Sequence, residues 1–291
     1  MNPPNNNSPR KFTSTADALR FLYELSLDQS GFRFRGQANA AWTLQPSIYR
    51  FANFKRNQTV WYEKHVLEDK PPPSPPLTHT DFHLEWLMVC QHYGVPTRLL
   101  DWSHDILTAL YFACDSEPGS DGALFICDQS EYPKFAAYDS HAMEVQNLAF
   151  VSTSVVNPRM RSQSGCFMIW GHAPLGDKSK ESYDLRQYQE SQSRPRYFET
   201  IQIPSNAKPS ILADLRDVYG ISSDALYLKN GYLESNFGSK FEALKNKARL
   251  KTLYVTDADK LSPDEEKLAR SFFGVDCRNM FGQCPSITRI S

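Results

Sequence analysis

The sequence lacks most of the short signatures that would assign it at once. It has no Cys-x-x-Cys pair, no Gly-x-Gly-x-x-Gly turn and no phosphate loop ending in Gly-Lys-Ser/Thr. These absences argue against a paired-thiolate zinc site, a dinucleotide turn of the Rossmann type and a P-loop. The six cysteines, Cys90, Cys114, Cys127, Cys166, Cys277 and Cys284, are scattered and mostly sit in apolar surroundings, as reduced structural thiols do. No apolar run reaches the roughly 18 residues a membrane-spanning helix needs. Lys plus Arg is 32 against 33 for Asp plus Glu, so the global basic field of a general nucleic-acid binder is missing. No internal repeat is visible. The Asn/Pro/Ser-rich start carries no apolar signal core, and a soluble cytoplasmic protein is the expectation. At 291 residues the chain can bury a large core as one domain or two.

In chain order, residues 1–12 are expected to be disordered, being polar with paired prolines. Ser14 and Thr15 then open an amphipathic helix through Leu25. Phe32 to Gln37 alternates aromatic and cationic residues, the pattern of a half-buried strand, with Arg33 and Arg35 on one face. Residues 59–68 have helical character, and the prolines of residues 70–76 mark a surface loop. Thr80 to His92 reads as a buried helix. Ala123 to Cys127 and Cys166 to Trp170 are apolar runs of buried-strand length. Residues 176–196 read as a loop. Phe198 to Ile203 reads as a strand at a sheet edge, because Pro204 closes it. Ser205 to Tyr219 is expected to be helical with Gly220 as its stop, and Ser222 to cap a short turn. Leu233 to Leu250 is a helix expected to break at Gly238. Thr252 to Thr256 is a strand candidate, and Ser262-Pro263-Asp264-Glu265 starts a last helix.

The densest chemistry lies between Gln91 and Ala113. Gln91, His92, Tyr93, Thr97, Arg98, Asp101, Trp102 and Ser103 crowd around Gly94 and Pro96, which stop the preceding helix. Leu99-Leu100 reads as a short buried strand, and Ser103 as the N-cap of the next helix. Backbone N–H groups at such a helix start can hold a phosphate. Arg35, followed by Gly36 and Gln37, could make paired bonds to anionic oxygens. His92 could act in acid–base chemistry. Tyr93 and Trp102 could stack a base, or simply pack in the core. Arg98 and Asp101 could equally form a locking ion pair. Gln163 is a candidate ribose ligand. His141, Glu144 and His172 are weaker candidates.

Phe34-Arg35-Gly36-Gln37, Pro46-Ser47-Ile48-Tyr49-Arg50, Gln91-His92-Tyr93-Gly94-Val95-Pro96-Thr97-Arg98-Leu99-Leu100-Asp101-Trp102, Ala109-Leu110-Tyr111-Phe112-Ala113 and Arg161 to Phe167 together resemble the FRG domain family. The resemblance implies an FRG domain over residues 13–240, with residues 70–76 as an internal loop and residues 241–291 as a helical extension packed on it. The order of parts also resembles the ADP-ribosyltransferase fold. That likeness implies an α+β architecture whose core is a mixed, split β-sheet flanked by helices. It further implies NAD as substrate, an unknown macromolecular target, and a toxin or defence role. Under it Arg35, His92, Asp101 and Gln163 would be catalytic. Gly36, Gln37, Gln91, Tyr93, Thr97, Arg98, Trp102 and Ser103 would hold the cofactor, with phosphates near Arg35 or Arg98 and no metal ligands.

One departure matters. Gly165 stands where the transferase glutamate would be, the group that bonds the ribose and steadies the oxocarbenium-like cation as nicotinamide leaves. Asp101, Glu85 or Glu199, in that order, would have to replace it. Otherwise the cleft is a non-catalytic module that binds a nucleotide or a protein partner. A nuclease would need clustered carboxylates, which do not accompany His92. If there is one site, Arg35, the loop from Gln91 to Trp102, and Gln163 must converge.

Overall fold

The computed structural model describes residues 9–25, 31–50, 63, 83–136, 145, 148–152, 158–171, 183–190, 197–228, 231–256, 262–265 and 267. Its centre is one seven-stranded sheet. The strands are β1 (Phe32–Gln37), β2 (Leu99–Ser103), β3 (Gly122–Asp128), β4 (Lys134–Ala136), β5 (Ala149–Ser152), β6 (Gly165–Ile169) and β7 (Phe198–Ile203), in the order β4-β5-β6-β2-β1-β3-β7. β4 and β5 run parallel and every other neighbouring pair is antiparallel. The fold class is therefore α+β with a mixed sheet.

The ladders are uneven, and that positions the site. β1 pairs with β3 along its whole length, from Phe32↔Asp128 to Gln37↔Ala123, and β2 pairs with β6 from Leu99↔Ile169 to Ser103↔Gly165. Between β1 and β2 the register holds only at Phe34↔Ser103. The sheet is joined there and opens beyond it.

Helices cover both faces. On one face α1 (Thr15–Glu24), α4 (Ile106–Cys114) and α7 (Lys208–Asp217) pack with Phe34, Leu124, Ile126, Ile201 and Ile203. On the other, α3 (His83–His92), α6 (Leu185–Glu190) and α9 (Gly231–Thr256) pack with Phe125, Cys127, Phe167 and Ile169. β3 sends alternate residues into the two cores, so its sequence is apolar at nearly every position. Short helices α2 (Ser47–Arg50), α5 (Pro158–Ser162) and α8 (Ser223–Leu226) sit between the larger elements.

Local chemistry accounts for several boundaries. Ser14 and Asp17 form a reciprocal capping box at α1. Gly94, at φ 80°, follows α3 in the left-handed conformation that ends helices. Gly220, at φ 68°, does the same after α7, and Ser222 caps α8 through the Ala225 amide. β7 is an edge strand as expected.

Other expectations are overturned. Residues 9–12 are ordered: Lys11 bridges Gln202 beside β7, and Phe12 is buried. Residues 185–190, inside the expected loop, form α6, because Leu185 is drawn into the core. Gly238 does not break α9, and Thr252 to Thr256 belongs to that helix rather than to a strand. Phe237, Phe241, Leu244 and Ala248 anchor α9 on Trp86 and its neighbours, and that burial outweighs the roughly 1 kcal/mol cost of a helical glycine. The same helix runs across the boundary expected at residue 240. Residues 70–76 lie outside the described residues, as do His141, Glu144 and His172. So does the 59–68 segment except Glu63, which is helical.

Candidate functional site

A cavity of about 290 Å³ occupies the opening between β1 and β2. It is near the low end of small-molecule pockets, roughly 300–1,000 Å³. Its lining includes Arg35, Gly36 and Gln37 from β1, Gln91 and His92 from the end of α3, Asp101, Trp102 and Ser103 from β2, and Gln163. Arg35 and Gln163, 128 positions apart in the chain, thus face one cavity. Among the described residues no group of three or more His, Cys, Asp or Glu could hold a metal ion.

Arg35 crosses the opening. Its Nη1 donates to the Asp101 carbonyl at 2.7 Å and lies 3.8 Å from the Asp101 carboxylate. Burial, with Arg50 nearby, lowers its pKa to about 10 despite Asp101. The Asp101 side chain is half-exposed, and Gln91 Nε2 donates to both its oxygens at 3.3 Å. Gln91 is itself oriented, since its Oε1 accepts from Thr97 Oγ1 at 2.5 Å. Burial pushes the His92 pKa down to about 4, with Asp101 opposing and Arg159 adding to the shift. His92 is therefore a neutral imidazole at pH 7. Arg35 Nε and His92 Nδ1 are both buried and without a hydrogen-bond partner among the described residues.

Three of the expected ligands lie elsewhere. Tyr93 stacks on Phe241 of α9 at 4.4 Å between centroids, so its ring is used in packing. Thr97 is fully buried; its hydroxyl donates to Gln91 and accepts from the Leu99 amide at 3.2 Å, and it does not line the cavity. Arg98 is fully buried and bonds Glu63 at 2.7 Å and the Trp170 carbonyl at 2.5 Å. It does not line the cavity, and its ion pair is with Glu63 rather than Asp101. Of the carboxylates proposed to replace the missing glutamate, Asp101 lines the cavity. Glu85 is buried in α3, and Glu199 bonds Tyr197 and lies 3.4 Å from Arg10.

Two further roles change. Ser103 does not cap α4. Asp105 does, its carboxylate accepting from the amides of Leu107 and Thr108. A carboxylate thus already occupies the helix start proposed for phosphate. Gln163 donates its side-chain amide to the Leu226 carbonyl at 3.1 Å, holding α8 against the cavity.

Sequence reasoning did not single out several residues that also line the cavity: Trp42, Arg50, Phe112, Asp115, Arg159 and Tyr227. Arg159 Nη1 donates to the His92 carbonyl at 3.0 Å, and its guanidinium lies 4.5 Å from the Tyr227 ring centroid. Asp115 accepts from the hydroxyls of Tyr111 at 2.7 Å and Tyr227 at 3.4 Å. Arg50 sat inside a quoted motif. So did Phe112; the other four carry no local signal, since their meeting depends on the sheet.

Residues 30–122 match the model of the FRG domain, and the chain carries an FRG domain there. That span holds β1, α2, α3, β2 and α4, and so most of the cavity wall. No curated protein and no solved structure matches the chain. No helix among the described residues is long and apolar enough to cross a membrane.

Proposed function

We propose that the cavity binds a nucleotide, with NAD as substrate, and supports chemistry of the ADP-ribosyltransferase type on a macromolecular target. The observation that carries this reading is the meeting of three guanidinium groups, Arg35, Arg50 and Arg159, with the aromatic rings of Trp42, Phe112 and Tyr227 in one opening of the sheet. Guanidinium groups make forked, charge-assisted bonds to phosphate oxygens, and aromatic faces accept a base. The Arg35 Nε and His92 Nδ1 atoms, buried and without a partner among the described residues, are polar groups we expect a ligand to satisfy. Of the two carboxylates on the cavity wall, Asp115 accepts two tyrosine hydroxyls, and Asp101 is the one we assign to stabilise a ribosyl cation. It is half-exposed, faces the cavity, and is oriented by Gln91. The cavity's size suits the nicotinamide–ribose half, with the remainder of the dinucleotide at the mouth.

A second reading is favoured by Gly165, which lines the cavity without a carboxylate. Under it the FRG domain binds a nucleotide without cleaving it. Two variants separate the readings. With NAD and a cell lysate, the parent protein is expected to release nicotinamide or label a target. Arg35→Ala should lose both binding and turnover. Asp101→Asn should keep binding and lose turnover. Binding without turnover in the parent selects the second reading; no binding at millimolar NAD removes the first, and no binding of ATP or GTP at the same level removes the second.

A further inference from the structure

Outside the residues assigned above, the most unusual group is the side-chain ammonium of Lys208. The residue is 2 % exposed. Its Nζ donates to the carbonyls of Ala38 at 2.6 Å, Glu117 at 2.9 Å and Ser116 at 3.0 Å. An ammonium has three protons and no acceptor, so this set satisfies it fully.

Nothing in α7 explains a lysine here. Lys208 is the first residue of that helix, where a cation opposes the helix dipole. Burying an ammonium is costly unless it is fully hydrogen-bonded. The partners supply the reason. Ala38 follows the end of β1. Ser116 and Glu117 follow Asp115, the C-cap of α4. Glu117 adopts φ 52°, a left-handed conformation that costs energy in a residue with a side chain. Lys208 therefore ties the end of β1 to the end of α4.

Both tied ends are cavity wall. Ala38, Asp115 and Ser116 line the cavity, and Asp115 in turn accepts the Tyr227 hydroxyl. We infer that Lys208 is a positioning residue: its ammonium gathers three main-chain carbonyls and so fixes the spacing between β1 and α4 on which ligand binding depends. As to the ligand's identity, the inference rests on the nucleotide reading above.

Ammonium replacement tests it. Lys208→Ala leaves the carbonyls and a channel the length of the three lost carbons and the nitrogen, which n-propylammonium can refill. Lys208→Met keeps the stem's bulk and leaves nothing to refill. Each is compared with the parent for thermal midpoint and for NAD affinity, the latter well below the midpoint. The Ala variant is expected to bind NAD roughly tenfold more weakly, the scale of one charge-assisted hydrogen bond. n-Propylammonium should restore both its affinity and its midpoint. Tetramethylammonium at equal ionic strength should not, and the Met variant should respond to neither. The inference falls if affinity is unchanged in the Ala variant, even with a lowered midpoint, because Lys208 would then be structural only. It also falls if both cations rescue equally or neither does.

If the parent itself fails to bind NAD, the nucleotide reading fails; recovery of the Ala variant's midpoint by n-propylammonium and not by tetramethylammonium then supports the tie between β1 and α4, and its absence overturns it. If the Ala variant does not fold, acetylation of the parent replaces it. Lys208 should then react only on unfolding, and modification at the rate of exposed lysines overturns the inference.

Discussion

Replacing Gly36 by alanine is the sharpest structural perturbation the cavity wall offers. A Cβ at Gly36 would lie 1.9 Å from the Ala109 carbonyl oxygen, 2.5 Å from the Ala113 nitrogen and 2.9 Å from the Phe112 carbonyl carbon. All three are main-chain atoms of α4, so no side chain can rotate aside. To reach ordinary contact α4 must retreat from β1 by about 1.5 Å, in an interior packed like an organic crystal. A gap of even about 1 Å already forfeits up to about half of each dispersion well it crosses. The affected face of α4 carries Ile106, Ala109, Leu110 and Ala113, all essentially inaccessible. Neighbouring β3 pinches the same helix, because a Cβ on Gly122 would lie 2.2 Å from the Ala113 oxygen. Overpacking usually costs about 1–3 kcal/mol, and Gly36→Ala is expected at or above the top of that range. That is a large share of a typical stability of about 5–15 kcal/mol. Urea denaturation should show a lower midpoint with an unchanged slope. Gly165→Ala is the control: its Cβ would lie 3.3 Å from the Met160 oxygen, so the effect should be small. A Gly36→Ala variant within about 1 kcal/mol of the parent would refute the reasoning.

Two further outcomes are expected. His92 titrates near 4 in the folded chain and near about 6.5 when unfolded, so between those values the unfolded state binds the extra proton and stability falls as pH falls. Its contribution is fully present above about pH 6.5; His92→Gln should flatten that slope, and an imidazole NMR titration near 6.5 would contradict the assignment. Removing one member of the buried Arg98–Glu63 pair, as in Glu63→Ala, should cost about 3–5 kcal/mol by chemical denaturation, and much of the loss should return in the double variant Arg98→Met, Glu63→Leu.

The sequence by itself determined the elements whose signals are short. The alternation of Phe32 to Gln37 gave β1, and the unbroken apolar run gave β3. The Gly94–Pro96 break ended α3, and the FRG motifs located most of the cavity wall. These follow from side-chain period and backbone preference, which a window of a few residues carries.

Partner choice did not follow. Arg98 sits at the bend before β2 and is fully buried against Glu63, whereas Asp101 lies on β2 half-exposed at the cavity, so these neighbours in sequence did not pair. Tyr93 looked like a stacking platform for a base, but α9 brings Phe241 onto it. Gly238 and Thr252 to Thr256 followed the packing of α9 against their local preferences. Lys208 had no visible task until the ends of β1 and α4 were placed around it. The cavity itself exists because β1 and β2 share a single register point. A single pairing point between two strands far apart in sequence has no counterpart in any local window, because it depends on how the whole sheet assembles.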